Sequence, residues 1–120
     1  MSTAAEVDLV IDQNTDFGVQ IYWLDPVLTP YQLLSPMKME IRSLDMATVI
    51  HTLSSSSGIT FSETGGLIQL VIPKATTNTM EPGTYYYDLY VTYRENVSTT
   101  RTKRLIKGVV TVNRKVTASV

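Results

Sequence analysis

The side chains that most often carry chemistry are few in this sequence of 120 residues. There is one histidine, His51, and there is no cysteine. The absence of cysteine excludes thiolate metal sites, thiol nucleophiles and disulfides. Because no carboxylates flank His51 at ligand spacing, a zinc site is not expected there. No serine lies in the glycine pattern of a nucleophile elbow, so a catalytic triad is not expected either. We interpret His51 as a half-exposed residue of a strand.

The acidic residues are dispersed, mostly beside predicted turns, where aspartate caps backbone groups. Residues 12–16 come nearest to a calcium loop, but they lack the regular alternation of carboxylates and the glycine that such a loop needs. Gly65 and Gly66 do not open a helix after a strand, so they do not form a phosphate-binding loop. We therefore predict no metal site, no cofactor and no catalytic residue, and we do not expect an enzyme.

Tyrosine is the residue type with the greatest potential for binding, and the chain has seven. Alternation along residues 84–94 places Tyr85 and Tyr87 on the core side of a strand and Tyr86 and Tyr90 on the solvent side. Exposed tyrosines are enriched at protein interfaces, and they also suit carbohydrate stacking. The alternative is that tyrosine favours strands and tolerates half-burial. The candidate interface residues are Tyr31, Tyr86, Tyr90, Arg101 and Lys103.

Composition and charge are typical of a folded β protein without strong attraction for nucleic acid or for an anionic membrane. Apolar residues make up 43% of the chain and charged residues 18%, with a formal net charge of −1. The densest basic run, residues 101–107, is interrupted by hydroxyl and aliphatic side chains, which indicates a solvated strand face rather than a phosphate site. Neither a signal peptide nor a membrane-spanning run is expected.

Period-two alternation of apolar and polar residues is the dominant pattern. Phe17 and Ile21, for example, fall on one side of a predicted strand that ends at Trp23, which we expect to pack in the middle of the core. Residues 74–80 are a candidate for a single helical turn. Gly108 indicates a bulge or a close backbone approach in the last strand. The predicted strands cover residues 17–23, 37–42, 48–53, 59–61, 67–72, 84–94 and 101–112.

About seven short strands, with a turn signal every 8 to 12 residues or so, predict a two-layer antiparallel β-sandwich. In the last strand, Lys103 and Lys107 are predicted to share the solvent face. We expect one domain over residues 1–120, with an ordered core at about 7–113 and short extensions at both ends.

Several short motifs follow one another along the chain, at residues 16–17, 21–23, 39–42, 66–72, 83–89, 104–112 and 116–117. Their order and spacing resemble a group of small virion proteins of tailed bacteriophages, similar to the N-terminal sandwich domain of baseplate upper proteins. The resemblance covers residues 7–117, although no single motif is specific. Residues 28–31 depart from it, because Pro30 stands where the pattern often has glycine, so that turn must differ.

The resemblance implies an Ig-like β-sandwich with a role in virion architecture and implies no catalytic residue. We therefore expect a non-enzymatic virion protein, assembled in the host cytoplasm, that contacts other virion proteins and copies of itself at the tail, baseplate or fibre attachment. A capsid decoration protein is a structural alternative. A carbohydrate- or receptor-binding module that uses Tyr31, Tyr86 or Tyr90 as stacking platforms is an alternative from another class. No cofactor, nucleic acid or membrane is among the expected partners.

Overall fold

The computed structural model describes residues 4–23, 32–62, 66–96 and 98–117. Within these ranges, nine strands and one helical turn follow one another along the chain. The elements are β1 (Ala5–Glu6), β2 (Leu9–Asp12), β3 (Phe17–Tyr22), β4 (Gln32–Arg42), β5 (Val49–Ser54), β6 (Ile59–Phe61), β7 (Leu67–Ile72), α1 (Lys74–Thr77), β8 (Gly83–Asn96) and β9 (Thr99–Asn113).

The larger sheet has the strand order β1-β9-β8-β4-β5, and β2 also pairs with β9. The sheet is antiparallel, as predicted, except along one edge, where β1 and β2 run parallel to β9. These two strands have only 2 and 4 residues, too few for alternation to reveal them in the sequence. Their parallel direction also leaves no hairpin turn as a local signal.

The smaller sheet has the strand order β3-β7-β6 and is antiparallel. Its central strand β7 covers the predicted residues 67–72 and buries Ile68, Leu70 and Ile72. The helical turn α1 follows directly and lies within the predicted 74–80. Alternation is therefore a good guide to this half of the sandwich, because its strands pair in register without interruption.

Strand β4 begins earlier than predicted, at Gln32, and continues through the cis peptide bond between Ser35 and Pro36. Its ladder with β8 shifts register between Leu34 and Lys38. Proline has no N–H to donate, so a strand accommodates it where the ladder is interrupted. Pro36, which precedes the predicted strand 37–42, thus lies inside β4.

The core is formed by buried side chains from both sheets. Trp23 follows the last residue of β3 and is half-buried, with its ring edge-on to Tyr93 at a centroid distance of 4.9 Å. It packs against the core but is not in its middle, so the prediction of a central Trp23 is wrong in this respect. Lys103 Nζ lies 5.3 Å from the ring centroid of Trp23. The most deeply buried side chains are Ile11, Leu33, Met37, Met39, Ile41, Ile59, Ile68, Leu70, Ile72, Leu89, Val91 and Val110.

The pairing of β8 with β9 shifts register at Leu105, which has no direct partner on β8. Such an extra residue is a β-bulge, and the alternation of faces reverses across it. Lys107 therefore lies on the outer side of the sheet, whereas Lys103 pairs with the buried Val91 and lies on the inner side. The prediction that Lys103 and Lys107 share a face is wrong, because unbroken alternation was assumed across the bulge.

Candidate functional site

The outer side of the larger sheet carries two exposed tyrosines on its central strand. Tyr86 and Tyr90 lie on β8, between β9 and β4, and their exposed fractions are 41% and 44%. They alternate with Tyr87 and Leu89, which are buried in the core. Since successive side chains of a strand point to opposite faces, the burial of one set directs the other outward. The predicted facing of these tyrosines is confirmed.

Three rows of side chains cross this outer side from β9 through β8 to β4. Residues that are directly paired on neighbouring strands lie side by side on one face, so the pairing defines each row. A row with two acidic residues lies between the two rows that contain tyrosine. We call these nine residues the tyrosine face: Val109, Tyr86 and Arg42; Lys107, Asp88 and Glu40; Arg104, Tyr90 and Lys38.

The acidic residues of the middle row pair with basic residues of the outer rows. Glu40 Oε1 accepts hydrogen bonds from the Arg42 guanidinium at 2.9 and 3.1 Å, and Lys38 Nζ lies 3.5 Å from the other carboxylate oxygen. Asp88 Oδ2 lies 3.7 Å from Arg104 Nη1. The Arg42 hydrogen bond lowers the pKa of Glu40, against a smaller opposing effect of burial. Because exposed pairs contribute only about 0–1 kcal/mol each, their main effect is to orient the side chains.

The tyrosine face lines an open concavity of about 780 Å³. Two further parts of the chain contribute to its lining: Glu6 and Asp8 at the N-terminal edge, and Met46 in the loop between β4 and β5. Glu6 Oε1 lies 3.9 Å from Lys107 Nζ. The carbonyl oxygen of Met46 accepts a hydrogen bond from Arg42 Nη1 at 3.0 Å. Both flanking parts are thus tied to the tyrosine face by polar contacts.

Short polar contacts hold the loop that carries Met46. Asp45 Oδ1 accepts hydrogen bonds from Ser43 Oγ at 2.5 Å and from the Ala47 backbone N–H at 2.9 Å. Ser43 Oγ in turn accepts one from the Thr48 N–H at 3.1 Å. The hydrogen bond from Ser43, followed by that from Ala47, lowers the pKa of Asp45. Met46, with φ of 65°, is therefore held exposed at the margin of the concavity.

The N-terminal segment lies against β9 at Gly108, where a side chain would not fit. A Cβ atom at Gly108 would lie 2.3 Å from the carbonyl oxygen of Val7. The Val7 N–H donates to the carbonyl oxygen of Lys107 at 2.9 Å, which fixes the approach. The prediction that Gly108 marks a close backbone approach is confirmed.

A buried hydroxyl also ties the N-terminal segment to β8. Tyr87 donates a hydrogen bond through its hydroxyl to the carbonyl oxygen of Val7. Asp8 Oδ1 nearby accepts a hydrogen bond from the Val109 N–H at 3.2 Å. Burial, and after it the charge of Asp8, raises the pKa of Tyr87 to about 12. The hydroxyl therefore stays protonated and able to donate over the ordinary pH range.

Of the predicted site residues, the structure brings Tyr86 and Tyr90 together. Arg101 and Lys103 do not join them, because both pair with core-side residues of β8 and lie on the inner side of the sheet. The bulge that reverses the alternation is the reason for this separation. Tyr31 lies outside the described residues.

The charged residues of the tyrosine face were not singled out as site residues by sequence reasoning. In the sequence, charged residues alternate with apolar ones along residues 38–42, which indicates a strand with a charged outer side. What alternation does not reveal is which strand lies beside it, and here the neighbour is β8 with its tyrosines. Alternation along residues 84–94 also puts Asp88 on the side of Tyr86 and Tyr90. A single carboxylate is not by itself a sign of a binding site, so Asp88 is not among the predicted site residues.

The ranges that the structure describes contain no group of three or more His, Cys, Asp or Glu side chains that converge as ligands. In the segment that loosely resembled a calcium loop, Asp12 Oδ1 accepts a hydrogen bond from Asn113 Nδ2 at 2.9 Å. Asp16 Oδ1 accepts one from the Lys74 N–H at 2.8 Å. Asp12 therefore joins the ends of β2 and β9, and Asp16, just before β3, joins that strand to α1. In the same ranges, no helix is long and apolar enough to cross a membrane.

His51 lies on the opposite side of the sheet from the tyrosine face. It pairs with Ile41 of β4, which is buried in the core. The imidazole is half-buried, and this burial lowers the pKa of His51. The interpretation of His51 as a half-exposed strand residue is confirmed.

Comparison with known proteins identifies the fold. No protein-family model matches the sequence, and no curated protein matches it. Murine CRIg is a similar solved structure, with a TM-score of 0.52 and 14% identity over 90% of this chain and 92% of that chain. A chain from the structural study of T cell specificity and activation by the bacterial superantigen toxic shock syndrome toxin-1 aligns at 12% identity over 88% of this chain and 92% of that chain, with a TM-score of 0.49. The strand arrangement and the likeness to CRIg show that this chain is an all-β protein with an Ig-like β-sandwich fold.

Proposed function

We propose that this domain is a binding module that assembles with other proteins through the tyrosine face. The observation that carries the proposal is the position of Tyr86 and Tyr90, half-exposed on the central strand of an ion-paired surface. Tyrosine and arginine are enriched among the residues that dominate the binding energy of protein interfaces. Tyrosine brings a large contact area with few rotatable bonds, and arginine brings many hydrogen-bond donors. The concavity above the two rings gives room for side chains of a partner.

The charge pattern of the surface favours a protein partner over a polyanion. The tyrosine face carries four basic and two acidic side chains, an excess of two positive charges, and the adjoining Glu6 and Asp8 bring two negative charges. Nucleic-acid surfaces carry a concentrated charge of one sign, which this balanced pattern does not match. A protein with its own interspersed charges is the complementary partner, because paired charges give specificity more than affinity.

Within this class we propose a non-enzymatic structural protein of a bacteriophage virion, located at the tail, baseplate or fibre attachment. The support is the ordered series of motifs that resembles small virion proteins of tailed phages. The proposed partners of the tyrosine face are other virion proteins. A capsid decoration protein is the structural alternative, with the same mode of contact but different neighbours.

The test of the virion role is quantitative mass spectrometry of purified particles with heads and tails separated. Recovery of the chain in the tail fraction is the expected result. Recovery in the head fraction identifies a capsid decoration protein instead. Absence from both fractions overturns the virion role.

The same measurement tests the tyrosine face when particles are assembled with variants. Replacing both Tyr86 and Tyr90 by alanine is expected to weaken binding at least about tenfold, which corresponds to about 1.4 kcal/mol, and so to lower the number of copies per particle when the chain is supplied below saturation. Leu44→Ala is the control, since Leu44 is an exposed apolar residue in the loop after β4 and belongs neither to the tyrosine face nor to β3. Equal incorporation of the double variant and the wild type is evidence against this surface.

A carbohydrate ligand is the second candidate for the same surface. Two exposed rings beside side chains that donate and accept hydrogen bonds, such as Arg42 and Asp88, also suit a sugar chain. Binding of the purified wild type to a glycan array, lost in the double alanine variant, supports this candidate. Binding to purified virion proteins without retention on glycans supports the first.

A further inference from the structure

The described outward residues of the smaller sheet differ from the tyrosine face in that none of them is charged. Its outward residues on β3 and β7 alternate with side chains that pack into the core. Tyr22 and Val71 are the most exposed of them, with exposed fractions of 61% and 48%. The described outward residues of this sheet are Gly18, Gln20, Tyr22, Thr60, Leu67, Gln69 and Val71.

Strand β3 forms an edge of this sheet. Among the described residues it pairs with β7 alone. It has no charged residue, no proline and no shift of register over its six residues. Charges, prolines and bulges are the usual devices that prevent an edge strand from pairing with another chain. β3 thus carries none of these devices.

The backbone groups that point to the open edge of β3 can be identified. The Trp23 N–H donates to the Gly66 carbonyl oxygen at 2.8 Å, and this pair continues the ladder beyond Tyr22. In an antiparallel ladder, hydrogen-bonded pairs alternate with pairs that are not bonded to each other. The N–H and C=O groups of Gly18, Gln20 and Tyr22 therefore point away from β7 and toward the open edge.

We propose that a second copy of this chain binds at this edge, with β3 antiparallel to β3 about a two-fold axis at Gln20. In this register Gln20 meets Gln20 of the second copy, and Gly18 meets Tyr22. All of the edge-directed backbone groups then find partners, in about six hydrogen bonds. The two smaller sheets become one continuous sheet.

The side chains of β3 fit this symmetric pairing. A Cβ atom built on Gly18 meets no atom nearer than the Leu70 carbonyl oxygen at 3.9 Å, so the space above this glycine is open. The Tyr22 ring of the second copy would cover that space, as cross-strand aromatic rings do for glycines in strands. On the core side, Val19 and Ile21 would face each other across the axis, a pairing of two β-branched residues.

The absence of charge is what suits this edge to a copy of itself. At a two-fold axis a charged residue meets its own like charge, which is destabilising. In a chain with 18% charged residues, β3 has none. The edge strand β5 of the larger sheet is less suited, because it contains His51 and a register shift interrupts its pairing with β4.

The proposed contact is separate from the tyrosine face, because the two lie on different sheets. Failure of one proposal therefore leaves the other standing. An edge strand of six residues is about 20 Å long and buries less area than a standard interface, so we expect a weak dimer.

Sedimentation velocity of the full chain from about 1 μM to about 1 mM tests the proposal, since this range covers weak association. The wild type is expected to dimerise as concentration rises. Gln20→Lys places two like charges at the axis and should raise the dissociation constant at least about tenfold. Gln69→Lys is the matched control, because Gln69 pairs with Gln20 on the same face but one strand from the edge. It should leave dimerisation unchanged.

Two results overturn the proposal: a wild type that is monomeric throughout the range, and equal dimerisation of the Gln20 and Gln69 variants. The chain has no cysteine, so Gln20→Cys checks the register independently. The paired Cα atoms would lie about 5.5 Å apart, within disulfide range, and oxidation should link the dimer. Gln69→Cys should not link, and equally fast linking of both variants also contradicts this register.

Discussion

On the larger sheet, the outward positions of the central strand hold tyrosine and aspartate among ion pairs, whereas the described outward residues of the smaller sheet carry no charge. Both sheets use the same alternation to build one core. The difference lies in what the outward positions hold. A surface with paired charges selects a partner by a complementary pattern, while an uncharged edge accepts an identical strand. We therefore propose a different kind of partner for each of the two sheets.

The largest effect expected is the contrast between two adjacent tyrosines of β8. Tyr87→Ala should lower the free energy of unfolding by about 3–5 kcal/mol, because its ring is buried in the core. Tyr86→Ala should lower it by less than about 1 kcal/mol, because that side chain is half-exposed on the tyrosine face. Urea denaturation of both variants measures the difference. If Tyr86→Ala is the more damaging change, the two sides of the sheet have been assigned the wrong way round.

Two glycines provide a second contrast, one from each sheet. Gly108→Ala should cost about 1–3 kcal/mol, since its Cβ would collide with the Val7 carbonyl oxygen at 2.3 Å. Gly18→Ala should be neutral or stabilising by up to about 1 kcal/mol, since its site is open and alanine restricts the unfolded chain. Thermal unfolding at a concentration where the chain is monomeric measures both. Equal stability of the two variants means that the N-terminal segment does not pack against Gly108.

The raised pKa of Tyr87 predicts that the stability of the fold depends on pH in the alkaline range. The pKa of Tyr87 is about 12 in the folded chain and about 10 in the unfolded chain, so the unfolded state loses this proton first. The stability contribution is present below pH 10 or so and is lost as pH rises toward 12. Tyr87→Phe should cost about 0.5–1.5 kcal/mol at neutral pH through the lost hydrogen bond to Val7.

The Tyr87→Phe variant should also lose less stability than the wild type between about pH 10 and pH 12, because it has no hydroxyl that ionises in this range. Denaturant titrations of the wild type and Tyr87→Phe across this range measure the difference in slope. An identical slope for the two proteins would show that burial does not raise the pKa of the Tyr87 hydroxyl in the folded chain.

The smallest effect expected is at His51, on the inner side of the larger sheet. Burial lowers its pKa in the folded chain, so the unfolded state binds the proton first as pH falls. Stability from this residue is present above the unfolded pKa of about 6.5 and declines as pH falls through and below that value. His51→Gln should remove this part of the acid dependence. The measurement is the free energy of unfolding of the wild type and of His51→Gln as pH falls from about 7. Parallel curves would contradict the claim that burial lowers the pKa of His51 in the folded chain.

Alternation predicted most of the fold, because the strands of the smaller sheet and β8 each turn one face toward the core. Ile68, Leu70 and Ile72 on β7 were placed correctly, and so were Tyr86 and Tyr87 on β8. The parallel edge formed by β1 and β2 was not predicted, since strands of 2 and 4 residues are too short to establish a period.

The candidate site was predicted only in part, because it depends on pairing between distant strands. Tyr86 and Tyr90 follow from local alternation, but their basic neighbours Arg42 and Arg104 lie on other strands, and Arg42 comes from β4, which is distant from β8 in the chain. Lys103 was grouped with them on the assumption of unbroken alternation, which the bulge at Leu105 reverses. A bulge of this kind has no residue signature as clear as a glycine or a proline.

The central claim is that the tyrosine face is covered in the assembled state. Hydroxyl-radical footprinting of the chain in purified particles, compared with the free chain, tests this most directly, because exposed tyrosine rings are oxidised and covered ones are protected. We predict that oxidation of Tyr86 and Tyr90 falls at least about tenfold in the particle, as expected for rings fully desolvated at an interface. Leu44, exposed in the loop after β4, should remain as reactive as in the free chain. Oxidation of Tyr86 and Tyr90 at the rate of the free chain would contradict the assignment of this surface.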